Sequence, residues 1–143
     1  MESRINRFPF IGLPTALVVL RVATALLFMA HSVVRIVKGT IPEFGAFMES
    51  VGFPAGVPVV WAITVAELAA GSMMIIGWRA RWGAAVLFAI AATGVGLIHW
   101  KLGWFVGEHG TGGSEYSVAL MVMLLVVAAA DREPIVGGRQ QSE

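Results

Sequence analysis

Four apolar runs constrain this chain more than anything else in it: Pro14 to Val37, Val57 to Gly77, Trp82 to Trp100 and Ser114 to Ala130. Each is close to the roughly 20 residues that a helix needs to cross a bilayer core of about 30 Å. A backbone in lipid has to bond its amides within its own segment, so runs of this length are helices. The sequence therefore predicts an all-α fold, a four-helix transmembrane bundle. Of 143 residues, 57% are hydrophobic and 13% charged, which describes one small membrane domain rather than a soluble core. The 17 glycines suit close approach of helices in lipid.

Two function classes fall away at once. A net charge of +1 leaves no basic face for nucleic acid. The chain has no cysteine, which excludes thiol–disulfide chemistry and any iron–sulfur or thiolate-ligated metal centre. Small four-helix membrane enzymes that make disulfides are excluded with them.

The domain plan follows from the runs. Residues 1–13 form an interfacial N-terminal segment, with Arg4, Arg7, Phe8 and Phe10 along the inner membrane surface. Residues 14–130 are the membrane domain, and residues 131–143 are a flexible polar tail. The first run has full span length and no small-residue cleavage site at its end, so it reads as a signal anchor. Pro14 suits the first turn of its helix, and Gly39 with Pro42 ends that helix. The segment from Lys38 to Gly56 is the longest loop, with a short amphipathic turn at Phe44 to Val51. Pro58 opens the second span, and the tight turn at Arg79 to Arg81 makes spans two and three an antiparallel hairpin. A glycine-rich loop, Gly107 to Gly113, leads to Ser114, the expected N-cap of the last span.

Charge sets the expected orientation. With four crossings, Arg4, Arg7, Arg79, Arg81, Arg132 and Arg139 share one side with both termini. Arg35, Lys38 and Lys101 lie on the other, beside Glu43, Glu49, Glu108 and Glu115. The positive-inside rule then puts both termini in the cytoplasm of a bacterial or archaeal cell, in a multi-pass protein of the plasma membrane. Trp78 and Trp82 fall at the inner boundary and Trp61, Trp100 and Trp104 near the outer one.

Ionisable groups inside the spans are costly, at least ~2–3 kcal/mol each unless paired or hydrated. Arg21, His31 and Arg35 fall within roughly 80° of one another on the first span, given 3.6 residues per turn. Glu67 is halfway along the second span, His99 in the outer part of the third and Glu115 in the first turn of the fourth. An inward-facing arrangement predicts a pocket of His31, Arg35, Glu67, His99 and Glu115 that opens outward, with Glu67 near its floor. Arg21 and Glu67 are the expected buried ion pair, either fixing helix register or serving the pocket. The histidines could bond to nearby backbone, hold a haem or a metal with the carboxylates, or bond a quinone carbonyl. Lys38 and Arg35 could instead snorkel to headgroups, and Glu115 could simply complement a helix dipole. Glu108 and His109 receive no role.

In order and spacing these residues resemble the DoxX family of small membrane proteins. The resemblance runs from about Leu20 to Arg132 and rests on a set of elements in sequence. These are Arg21, the stretch His31 to Arg35, Gly52-Phe53-Pro54, Glu67 followed by Gly71 and Gly77, His99, and the glycine-rich approach to Glu115. The family commonly has a glycine after the first histidine and a lysine further on, where this chain has Ser32 and Arg35. The family is named for similarity to the small membrane subunit of an archaeal thiosulfate:quinone oxidoreductase. The resemblance implies a four-helix fold and a link to membrane redox or sulfur-stress processes, and leaves open whether the chain is itself an enzyme.

The reading that unites these features is a quinone-facing or redox-partner subunit of a membrane oxidoreductase, with no metal of its own. Histidines would bond the quinone headgroup, Glu67 would exchange protons, and a partner subunit would supply electrons. The alternatives are a non-catalytic scaffold for a partner enzyme, docking through Lys38 to Gly56 and Gly103 to Gly113, and, last, a small transporter. Small-residue faces at Ala66–Gly71 and Ala84–Gly96 would permit a homodimer.

Overall fold

A computed structural model describes residues 10–105 and 113–132. The expected roles of residues 1–9, of Glu108 and His109, of most of the glycine-rich loop and of the tail beyond Arg132 lie outside the described residues. Those residues form five α-helices and one 3-10 turn, with no strand among them. We number the helices α1 (Leu13–Val37), α2 (Ile41–Ser50), α3 (Gly56–Ile76), α4 (Ala80–Leu97) and α5 (Glu115–Ala130), with the 3-10 turn at His99–Leu102.

Four of the helices match the four apolar runs to within a few residues. Three stretches are long and apolar enough to cross a membrane: Leu13–Val37, Gly56–Ile76 and Ala80–Lys101. α5 is apolar but shorter. The helix ends follow local chemistry. Proline stands in the first turn of α1 and again of α2, where no amide donor is needed. At the end of α3, Gly77 adopts a left-handed conformation at φ +75°. Its amide and that of Trp78 close on the carbonyls of Met74 and Met73, ending the helix in a single turn. Arg79, also left-handed, then reverses the chain into α4.

α4 packs between α3 and α5, α1 lies against α3, and a thinner seam joins α1 to α5, which closes the four long helices into a ring. The shared core is Ala25, Phe28, Ala70, Met74, Ala84, Leu87, Leu120, Leu124 and Val127. Small residues let the backbones approach. A Cβ on Gly71 would stand 2.6 Å from Met29 Cγ, and one on Gly83 2.7 Å from the Ala70 carbonyl oxygen. Of the two small-residue faces expected to permit a dimer, Ala66–Gly71 and Ala84–Gly96, Ala70, Gly71 and Ala84 are buried between helices of one chain, whereas Gly94 and Gly96 have open space where a side chain would stand.

The exterior is apolar. Leu26, Val33, Val65, Val86, Val122 and Leu125 are all exposed, a surface that suits lipid and not water. The exposed hydroxyls of Ser72 and Thr93 each donate back to the carbonyl four residues earlier, so neither faces outward unpaired.

α2 is the main departure from expectation. The predicted short turn is a ten-residue helix that folds against the start of α3. Gly45 and Gly56 permit this, since a Cβ on Gly56 would collide with the Gly45 carbonyl. Glu49 Oε1 accepts the Gly56 amide at 2.9 Å, and this bond caps α3. α3 accordingly starts two residues before Pro58, the expected opening residue. Ile41 and Met48 bury themselves against Val60 in a second small core.

Candidate functional site

The site is built on two hydroxyl-bearing turns. Ser32 and Arg35 are three residues apart on α1, and Thr64 and Glu67 three apart on α3, so each pair presents one helix face. Where α1 and α3 pack, the faces meet. Ser32 Oγ donates to Glu67 Oε2 at 2.6 Å. Arg35 Nη1 donates to the same oxygen at 3.0 Å and to Thr64 Oγ1 at 2.8 Å. The Thr64 hydroxyl in turn donates to the Val60 carbonyl at 2.8 Å. Ser32, Thr64 and Glu67 are all buried. The Arg35 guanidinium also stacks over the Phe44 ring at 5.2 Å, which ties α2 to this centre.

This corrects the expected ion pair: Glu67 pairs with Arg35, not Arg21. The Arg21 guanidinium lies beside Gly77, at the far end of α3, where a Cβ would stand 3.1 Å from either terminal nitrogen. Ten residues of helix separate Gly77 from Glu67, roughly 15 Å at 1.5 Å per residue. An arginine side chain cannot span that distance. α1 overhangs the end of α3, so Arg21 is nearer the bundle's end than its place in the apolar run suggests.

Beside the pair lies a cavity of about 500 Å³. Every helix contributes to its wall: Phe28, His31 and Arg35 from α1, Phe44 and Met48 from α2, Ile63 and Glu67 from α3, a run of α4 from Ala89 to Leu97, and Tyr116, Ser117 and Leu120 from α5. His99 and Gly113 complete it. Four of the five expected pocket residues, His31, Arg35, Glu67 and His99, therefore line one space. Glu115 does not line it; the residue beside it, Tyr116, takes that place. Helical spacing explains the exchange, because a shift of one residue turns the side chain by about 100°.

His99 is held by a break in the helix. α4 stops at Leu97, and the 3-10 turn that follows carries His99 over the cavity. Its Nδ1 is buried without a hydrogen-bond partner. The His31 and Tyr116 rings face each other across the α1–α5 seam, 6.4 Å apart and tilted by 56°. Ser114 stands at the expected cap position of α5 but makes no cap bond with its side chain. Its hydroxyl donates instead to the Gly103 carbonyl at 3.2 Å, tying the start of α5 to the end of the 3-10 turn. Among the described residues, no three histidine or carboxylate side chains gather closely enough to hold a metal ion.

Sequence reasoning missed Ser32 and Thr64 as partners of Glu67. The signal was present in the matched three-residue spacings, Ser32 to Arg35 and Thr64 to Glu67, which put a hydroxyl one turn from each charge.

No curated protein and no solved structure matches the chain. One family model does match, that of DoxX, over residues 16–100. The matched stretch runs from α1 to the 3-10 turn and includes Arg21, Ser32, Arg35, Thr64, Glu67 and His99, stopping short of α5. A chain whose described residues are all-helical, with an apolar exterior and helices long enough to cross a bilayer, and which is matched over more than half its length, is a membrane protein and belongs to the DoxX family.

Proposed function

We propose that this DoxX protein is a quinone-facing subunit of a membrane redox system and that the cavity beside Arg35 and Glu67 receives the quinone headgroup. The observation that supports this reading is the cavity's make-up: a guanidinium–carboxylate pair and two histidines set into a wall of phenylalanine, methionine and aliphatic side chains. A quinone is an apolar ring with carbonyl acceptors, and such a pocket suits both parts. His31, His99 and the unbonded nitrogens of Arg35 are donors for the carbonyls. Among the described residues no partner holds His99 Nδ1, which leaves that nitrogen for a ligand. Glu67 offers its second oxygen, Oε1, as the group that takes up protons and passes them to the ring as the quinone is reduced to the quinol. A quinone carries two electrons, and with no cysteine for a cluster the chain would take them from a partner subunit in the plasma membrane.

In this reading α5 crosses as a fourth span, both termini are cytoplasmic, and the cavity opens to the outer side. Basic residues support that orientation: Arg79, Arg81 and Arg132 gather at the end of the bundle away from the cavity.

The test is quinone content and binding. Lipid extracts of the purified protein should contain about one quinone per chain. Titration with a short-chain quinone should weaken about ten-fold or more in the His31→Ala, His99→Ala double variant, the effect of losing a bond worth about 1.4 kcal/mol. Protein free of quinone, or variants that bind as the parent does, would overturn the reading. One observation favours a second role as a scaffold: Ser32, Arg35, Thr64 and Glu67 already bond one another and need no ligand. A stable complex with a partner enzyme, unchanged by the pocket variants, would support that role.

A further inference from the structure

At the opposite end of the bundle, Arg21 poses a separate problem. It sits on a helix long and apolar enough to cross a membrane, yet among the described residues it makes no hydrogen bond or ion pair, and its Nε is buried without a partner. A guanidinium in such surroundings requires an anion or firmly held acceptors. Its one favourable feature within the protein is position: it lies at the C-terminal end of α3, toward the negative end of that helix dipole.

Arg21 also lines a second cavity, of about 310 Å³, between the start of α1 and the end of α5. The rest of this wall is apolar, from Leu13, Pro14, Leu17, Val18 and Val127, except for Asp131. Asp131 Oδ2 accepts the Arg81 amide at 3.0 Å, which leaves its other oxygen for a cation. The surroundings are those of a membrane interface. Trp78 and Trp82 are exposed, and the guanidinium groups of Arg79 and Arg81 stack on them at 5.5 Å. One cation, unpaired among the described residues, and one exposed carboxylate therefore face an apolar groove at the end of the bundle that carries the exposed tryptophans.

We propose that this groove is a phospholipid site, in which Arg21 binds the phosphodiester and Asp131 binds the primary ammonium of an aminophospholipid. The acyl chains leave along Leu17 and Val18. A guanidinium holds a phosphate through two parallel bonds, which a single surface lysine does not match. An ammonium with three protons can donate to Asp131, while a choline, having none, cannot. The lipid would then supply the counter-ion that Arg21 lacks within the chain. The inference is independent of what fills the cavity beside Glu67.

Native mass spectrometry of the full chain in detergent tests it. The protein is offered phosphatidylethanolamine, phosphatidylglycerol and phosphatidylcholine with the same acyl chains. The parent should retain phosphatidylethanolamine about ten-fold over phosphatidylcholine, the factor a single charge-assisted bond supplies. Arg21→Gln should lose bound lipid of every kind, and Asp131→Asn should keep lipid but lose the preference for the amine. A folded Arg21→Gln variant that retains lipid as the parent does would overturn the proposal. So would inorganic phosphate that raises the melting temperature while no lipid is retained, since the site would then be one for a soluble anion. If Arg21→Gln does not fold, the Asp131→Asn arm decides, and an unchanged lipid preference there would also overturn the proposal.

Discussion

Ser32 Oγ lies 2.6 Å from Glu67 Oε2, and both residues are buried at the α1–α3 contact. The same carboxylate oxygen receives Arg35 at 3.0 Å. A hydroxyl and a guanidinium on one helix thus converge on a single oxygen of another, which fixes both the rotation and the height of α1 against α3. Hydrogen bonds to a charged group contribute about 1.5–3 kcal/mol each, more than neutral ones. Ser32→Ala should therefore lower stability by about 1–3 kcal/mol without removing the ion pair. A melt in detergent measures this, and a variant that melts as the parent does would mean that the hydroxyl contributes nothing to the contact.

The ion pair itself predicts an asymmetry. Glu67→Leu leaves the partly buried Arg35 beside Thr64 with no carboxylate, a loss of about 3 kcal/mol, the lower end for a broken buried pair. The double variant Arg35→Leu, Glu67→Leu removes both charges and should melt above Glu67→Leu alone. Replacing a whole buried pair with apolar side chains is often close to neutral. If the effects of Arg35→Leu and Glu67→Leu simply add, the two groups do not interact and the pairing is wrong.

Arg35 has three simultaneous partners, Glu67, Thr64 and the Phe44 ring. A lysine ammonium can reach one or two of these but lacks the planar surface that stacks on the ring. Arg35→Lys should cost about 1–2 kcal/mol in stability and loosen α2, since the stack on Phe44 is a direct tie between α1 and α2. Faster digestion by a glutamate-specific protease at Glu43 and Glu49 is the expected signature. Unchanged digestion would mean that α2 is held by its other contacts alone.

The four long helices were legible because lipid imposes a simple rule, an apolar run of sufficient length, and their observed ends fall within a few residues of the runs. α2 was legible only as an amphipathic turn. What makes it a docked helix is the Gly45–Gly56 approach and the Glu49 cap, and both depend on a contact that local sequence does not encode. The pocket residues His31, Arg35, Glu67 and His99 were legible as polar groups at similar depth. The ion-pair partner was not. Depth estimated from a run assumes that helices end level, and α1 overhangs α3, which carries Arg21 away from Glu67 and sets Arg35 against it. Glu115 failed for a related reason: the cavity-facing residue of α5 is fixed by helix rotation, and an N-terminal carboxylate gives no phase for that rotation.

The absence of cysteine makes the proposed topology directly testable, because any cysteine introduced is the only one present. α5 is the critical element. Its 16 residues extend roughly 24 Å, short of a bilayer core of about 30 Å. A helix of that length crosses only if its ends, here Ser114 and Asp131, sit in a thinned or polar boundary. Single variants Lys38→Cys, Arg79→Cys, Lys101→Cys and Arg132→Cys place one thiol at each end of the bundle. In intact cells a membrane-impermeant maleimide should label Lys38→Cys and Lys101→Cys, and should reach Arg79→Cys and Arg132→Cys only after lysis. Labelling of Lys101→Cys and Arg132→Cys from the same side would mean that α5 returns without crossing. Labelling of Arg79→Cys in intact cells would invert the bundle, and the cavity beside Glu67 would then open to the cytoplasm.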